Sequence, residues 1–143
     1  MIEVKTTELE GKALDWAVAM SEGATNLRFD TVACWWFTLN GRDRVLSSGW
    51  SEQQNYCPST DWRYGGPLID KMGGFELKVW LESKPETKCE AHIHNYDGNW
   101  IVFGPTPLIA AMRCLVASKL GDVVQVPEEL GDTVFNALKG GGC

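Results

Sequence analysis

The segment that most constrains the fold begins at Thr106-Pro107 and ends at Gly121. Thr106 suits an N-cap, Pro107 the first helical position, and Gly121 the terminator, so both ends of a helix are marked. Leu108, Met112, Leu115, Val116 and Leu120 recur on one side at helical spacing. Ala110, Ala111, Cys114 and Ala117 keep another side small, so a neighbouring element can come close. Only Arg113, Ser118 and Lys119 interrupt an otherwise apolar surface. A helix apolar on nearly every side has to be buried. The rest of the chain must therefore wrap around it.

Two tight-turn signals say how. Asn40-Gly41 follows the β-branched and aromatic stretch 32–39, with 44–48 as its return strand. Asp97-Gly98 separates 89–96 from 99–103. A two-residue turn there places Phe103 opposite His92 and Ile101 opposite His94. Residues 75–82 alternate strictly, with Phe75, Leu77, Val79 and Leu81 on one face, as a half-buried antiparallel strand does. Residues 2–5 and 123–126 are extended. A first helix runs toward Met20 with Leu9, Ala13, Trp16 and Ala17 on its apolar face, a Thr7/Glu10 capping box near its start and Gly23 at its end. Around Ser59 and Thr60, either of which suits an N-cap, Asp61 sits where a helix dipole favours negative charge. Gly65-Gly66-Pro67 then predicts an interruption, with Pro67 opening a new short helix over 68–72. A last short helix starts at Pro127 and heads toward Leu138. Hairpins separated by helices predict an α+β fold, mainly an antiparallel sheet with two or three helices packed on it. The 143-residue length fits one domain, 1–138, and Gly140-Gly141-Gly142-Cys143 makes 139–143 a flexible tail.

Charge and composition exclude several functions. The net charge is −6 and no Lys/Arg run occurs, which argues against direct contact with nucleic-acid phosphates. The longest apolar run is 32–37, far short of the roughly 20 residues of a membrane span. The first residues lack the form of a signal peptide, so a cytoplasmic location is expected. Five cysteines without a CxxC or CxxH pair read as free thiols rather than a disulfide framework or a zinc ribbon. No nucleophile elbow or phosphate-cradling loop is present, so neither catalytic residues nor a cofactor is expected. His92 and His94 share a strand face with Glu90, a spacing open to a divalent metal. Ordinary strand histidines explain them better, and no metal is expected.

Seven Trp are many for this length. Trp35, Trp36 and Trp80 fall in strand patterns that sheet packing explains. Trp16 and Trp62 lie beside acidic, capping or Gly-rich residues. The two marked helix starts, Ser59-Thr60-Asp61-Trp62 and Gly104-Pro105-Thr106-Pro107, expose backbone N–H groups suited to an anion. Gly65 and Gly66 permit close backbone approach, Pro67 follows them, aromatic rings can stack on a base, and Arg113 can meet a negative group. Trp16, Ser59, Thr60, Asp61, Trp62, Gly65, Gly66, Pro67, Gly104, Thr106, Pro107 and Arg113 are therefore the candidate ligand residues.

The same segments carry a family likeness. Ala13-Leu14-Asp15-Trp16-Ala17-Val18-Ala19 resembles the N-terminal signature of NinX-type phage and prophage proteins. Pro58-Ser59-Thr60-Asp61-Trp62 with Gly65-Gly66-Pro67-Leu68-Ile69 is similar to the middle motif of that family. Residues 104–113, 117–122 and 126–130 are similar to its C-terminal motif. The resemblance implies a phage-encoded accessory protein of the bacterial cytoplasm and supplies no catalytic residues. The expected role is a non-enzymatic binder of an anionic, nucleotide-like small molecule, such as a host defence signal. The rival is an inhibitor or adaptor that docks on a host protein. The small-residue face of the 107–120 helix also leaves room for a homo-oligomer.

Overall fold

A computed structural model describes residues 1–30, 34–81 and 84–131. The chain runs β1 (Ile2–Lys5), a 3-10 turn (Thr6–Glu8), α1 (Gly11–Ser21), β2 (Thr25–Phe29), β3 (Trp35–Leu39), β4 (Arg42–Val45), α2 (Trp62–Asp70) and β5 (Phe75–Val79). A second 3-10 turn (Pro85–Thr87) leads to β6 (Cys89–Asn95), β7 (Gly98–Gly104), α3 (Pro107–Leu120), β8 (Val123–Val126) and the short α4 (Glu128–Gly131). The fold is α+β. Its strands form three small antiparallel sheets, β1-β8, β2-β3-β4 and β5-β6-β7.

Helix α3 sits at the centre, as its all-round apolarity requires. One side, with Ala111, Met112, Leu115 and Val116, joins a core containing Leu14, Trp16, Val18, Phe37 and Val126. The small side, with Ala110, Cys114 and Ala117, lies on Cys89, Ala91, Ile93 and Val102 of the β5-β6-β7 sheet. The neighbour that the small residues admit is thus a sheet of the same chain. Leu120, expected in the core, is exposed because it ends the helix.

The Asn40-Gly41 hairpin forms as expected. Both residues have positive φ (53° and 77°), which a type I′ turn needs, and Leu39 pairs with Arg42. The second hairpin turns one residue earlier than expected, at Tyr96-Asp97. The Asn95 side chain accepts the Asp97 N–H at 2.8 Å, so Asn95 opens the turn and pairs with Gly98 across it. The register moves accordingly: His92 faces Ile101, and His94 faces Asn99.

Helix α1 begins at Gly11 with Glu10 as N-cap, and no side chain caps it, so the expected Thr7/Glu10 box is not formed. Its end is a Schellman motif: Ala24 N–H reaches Ala19 O, and Gly23 N–H reaches Met20 O. Helix α2 is continuous through Gly65-Gly66-Pro67, where the sequence predicts a break. Pro67 removes only the bond to the Arg63 carbonyl, on an exposed stretch where water can replace it. Among the cysteines, Cys57, Cys89 and Cys114 are buried free thiols. Cys34 departs from the expected reading and is disulfide-bonded. The expected continuation of the last helix toward Leu138 and the 139–143 tail lie outside the described residues. So do Val32 and Glu82 of the expected strands.

Candidate functional site

The N-terminal ends of α2 and α3 open on one cleft of about 220 Å³. It is lined by Ser59, Thr60 and Trp62 on one side and Thr106, Pro107, Leu108 and Ile109 on the other. Local chemistry builds each wall. Asp61 caps α2, accepting the Arg63 N–H at 2.9 Å, so the cap falls after both expected positions, one residue past Thr60 and two past Ser59. Thr106 caps α3 through Ile109 N–H at 3.1 Å, and Pro107 takes the first helical position. These caps leave the Trp62 and Leu108 amides as first-turn donors with no intrahelical acceptor. Trp62 is 55% exposed.

What brings the walls together is Gly65. A Cβ there would sit 2.5 Å from the Pro58 carbonyl oxygen and 2.7 Å from Leu108 Cδ2. The close approach is therefore to the protein's own chain and not to a ligand. Gly66 faces open space. Gly104 packs against the first turn of α3 at Ala110. Pro67 lies inside α2, beyond the cleft lining.

Two candidates stand elsewhere. Trp16 is 2% exposed and stacks edge-on against Trp35, with ring centroids 5.1 Å apart, deep in the main core. Arg113 is 7% exposed and donates to Leu9 O at 2.6 Å and Phe103 O at 3.0 Å, bracing α3 against the chain before α1 and the end of β7. It is not aimed at the cleft. Of the cations nearby, Arg63 already pairs with Asp61 at 2.9 Å and Glu52 at 3.5 Å. The residues lining the cleft therefore carry first-turn amides, the Thr60 and Thr106 hydroxyls and the Trp62 indole, with little fixed positive charge.

A residue that the motif contains, but that spacing does not single out, stands behind the Ser59 wall. Asp15 lies in the middle of α1, 4% exposed, and its Oδ1 accepts the Ser59 N–H at 2.9 Å across 44 residues of chain. Burial pushes its carboxyl up to about 7; the Ser59 amide and hydroxyl and the charge of Lys12 pull the other way and lose. The Ser59 hydroxyl lies beside the same carboxyl but outside hydrogen-bond geometry. The available signal was a lone acid among Ala13, Leu14, Trp16, Ala17, Val18 and Ala19, all of them buried.

The histidine pair is occupied internally. His92 Nε2 lies 2.9 Å from Asn99 Oδ1, and His94 Nδ1 contacts the same oxygen. Among the described residues no group of three His, Cys, Asp or Glu side chains is placed to hold a metal ion. Nor is any helix among them long and apolar enough to cross a membrane.

The sequence of residues 5–119 matches the profile of the family described as Bacteriophage P22, NinX. The chain belongs to that family. The NinX match spans all of the segments that build the cleft, from α1 through α3, and stops before β8. A solved structure of a phage protein from Bacillus cereus ATCC 14579 is similar in fold. It has a TM-score of 0.52 and 15% identity, covering 77% of this chain and 92% of that one. At that identity the likeness concerns architecture alone. No curated protein matches the chain in sequence.

Proposed function

We propose that this NinX-family protein is a non-enzymatic binding module whose ligand enters the cleft between the α2 and α3 N-termini. The observation that carries the reading is the meeting of two helix N-termini at one cleft, whose lining includes Trp62, itself exposed, and Leu108, both residues with first-turn amides that no intrahelical carbonyl accepts. Such amides favour an anionic or carbonyl oxygen, and the indole favours a flat ring. A nucleotide-like small molecule offers both. The placement of Arg113 sharpens the class: without a free guanidinium the cleft suits the base and one acceptor oxygen better than a polyphosphate chain. About 220 Å³ holds a base-sized fragment, below the roughly 300–1,000 Å³ of sites that enclose a drug-sized ligand. Sequestration of a host signalling nucleotide in the bacterial cytoplasm would suit a phage-encoded binder of this kind.

Thermal-shift screening against mononucleotides and cyclic dinucleotides, with Trp62→Ala beside the wild type, tests this. The expected result is stabilisation of the wild type that is lost in the variant. Docking on a host protein is the competing use of an exposed Trp. A stoichiometric partner captured through Trp62, unaffected by any nucleotide, would favour it.

A further inference from the structure

We propose that Asp15 is a protonation-linked latch on the Ser59 wall of the cleft, holding residues 57–61 closed when neutral and releasing them when ionised. What the latch controls rests on the reading of the cleft as a ligand site. The latch itself does not.

The geometry is a buried acid whose cover is the cleft wall. Residues 57–61 form a compact turn, with the Thr60 and Asp61 N–H groups donating to the Cys57 carbonyl at 3.2 and 3.0 Å. That turn hangs on Asp15 through the Ser59 amide, and Ser59 is itself 1% exposed. Its outer side, with Ser59 and Thr60, lines the cleft. Any motion that lets water reach Asp15 along this side displaces the wall.

The charges around Asp15 do not neutralise it. Lys12, one turn earlier on α1, attracts the ionised form, but burial outweighs it. Tyr56 and Cys57, on the segment leading into α2, are both raised by burial and by the charge of Asp15, so they contribute no cation. From α3, Arg113 is committed to two backbone carbonyls and faces Glu8 and Glu10. Strand β8 has no titratable side chain. The Glu128 and Glu129 side chains of α4 are exposed. The closed state thus holds its proton up to about neutral pH, whereas a hydrated carboxyl in an opened state gives it up at lower pH. Opening releases a proton, so rising pH favours opening.

Amide hydrogen exchange of the full chain across pH 5–9, read at Ser59 relative to exposed reference amides in the same protein, tests the latch without any ligand. As pH rises from 5 toward about 7, relative protection at Ser59 should fall, approaching about tenfold per pH unit, and it should level off above about 7. In Asp15→Asn, whose amide oxygen still accepts the Ser59 N–H, the relative protection should stay level. Equal profiles in the two proteins would overturn the proposal. If the variant does not fold, the wild type decides alone. The 13C shift of the Asp15 carboxyl should then titrate at the pH where the loss of Ser59 protection levels off; titration with no change at Ser59 at lower pH overturns the latch. A failed nucleotide screen leaves this outcome untouched, because it removes the ligand and not the opening.

Discussion

Replacing Asp15 by Asn tests the energetics of the buried carboxyl directly. The group moves from 3.8 in an unfolded chain to about 7 in the folded one. Because the folded value is raised, the folded state holds more protons between about pH 4 and pH 7. Stability therefore falls as pH rises through that window and levels off above it. At 1.36 kcal/mol per pKa unit the change is about 4 kcal/mol. Asn keeps the shape and an acceptor for the Ser59 N–H, yet never ionises. The stability of Asp15→Asn minus that of the wild type should accordingly rise by about 4 kcal/mol between pH 4 and pH 8. Urea unfolding at several pH values, followed by Trp fluorescence, measures it. Other carboxylates titrate equally in both proteins and cancel in the difference. A difference that stays flat with pH would refute the reasoning and mean that the carboxyl is solvated in the folded state.

Other outcomes follow from named contacts. Gly65→Ala should destabilise by about 1–3 kcal/mol, because its Cβ meets the Pro58 carbonyl and Leu108, whereas Gly66→Ala, facing open space in the same helix, should stabilise by up to about 1 kcal/mol; thermal melts of the pair separate crowding from propensity. Arg113→Met should cost about 2–4 kcal/mol by leaving the Leu9 and Phe103 carbonyls without their donor, with no change in the fluorescence of exposed Trp62. Glu22, covered by Lys71 at 2.7 Å and by Lys119, has its carboxyl held below the usual range by those partners against the opposing effect of burial. Its contribution is present above the unfolded value and lost as pH falls through the folded one, the reverse of Asp15; Glu22→Gln should lower stability at pH 7 by about 1 kcal/mol, less at high salt.

The parts of the fold that were legible in the sequence are those whose signals are local. Helix α3 carries its own cap, its Pro and its terminator, and Asn40-Gly41 dictates its turn by φ alone. Strand β2, Thr-Asn-Leu-Arg-Phe, shows no clear alternation and was not expected. It exists because β3 offers it an edge. The continuity of α2 was hidden for a similar reason. Gly-Gly-Pro reads as a breaker until the tight contact of Gly65 with Pro58 and Leu108 offsets the poor propensity. Site residues divide the same way. Both helix starts were readable and do meet at one cleft, except that Asp61 is the cap. Trp16 and Arg113 could not be assigned to core or cleft from spacing. Their surroundings, Trp35 for one and Leu9 for the other, come from distant chain. Asp15 does not stand out in the sequence because a lone acid on a helix ordinarily marks the solvent side.

The cleft stands or falls on whether its amides respond to a ligand. Titration of the 15N-labelled protein with mononucleotides and cyclic dinucleotides, followed at the amides of Trp62 and Leu108 and at the Trp62 indole, reads this most directly. The account predicts saturable shifts at those three positions, absent in Trp62→Ala. Shifts that map elsewhere, or none at millimolar ligand, would contradict it.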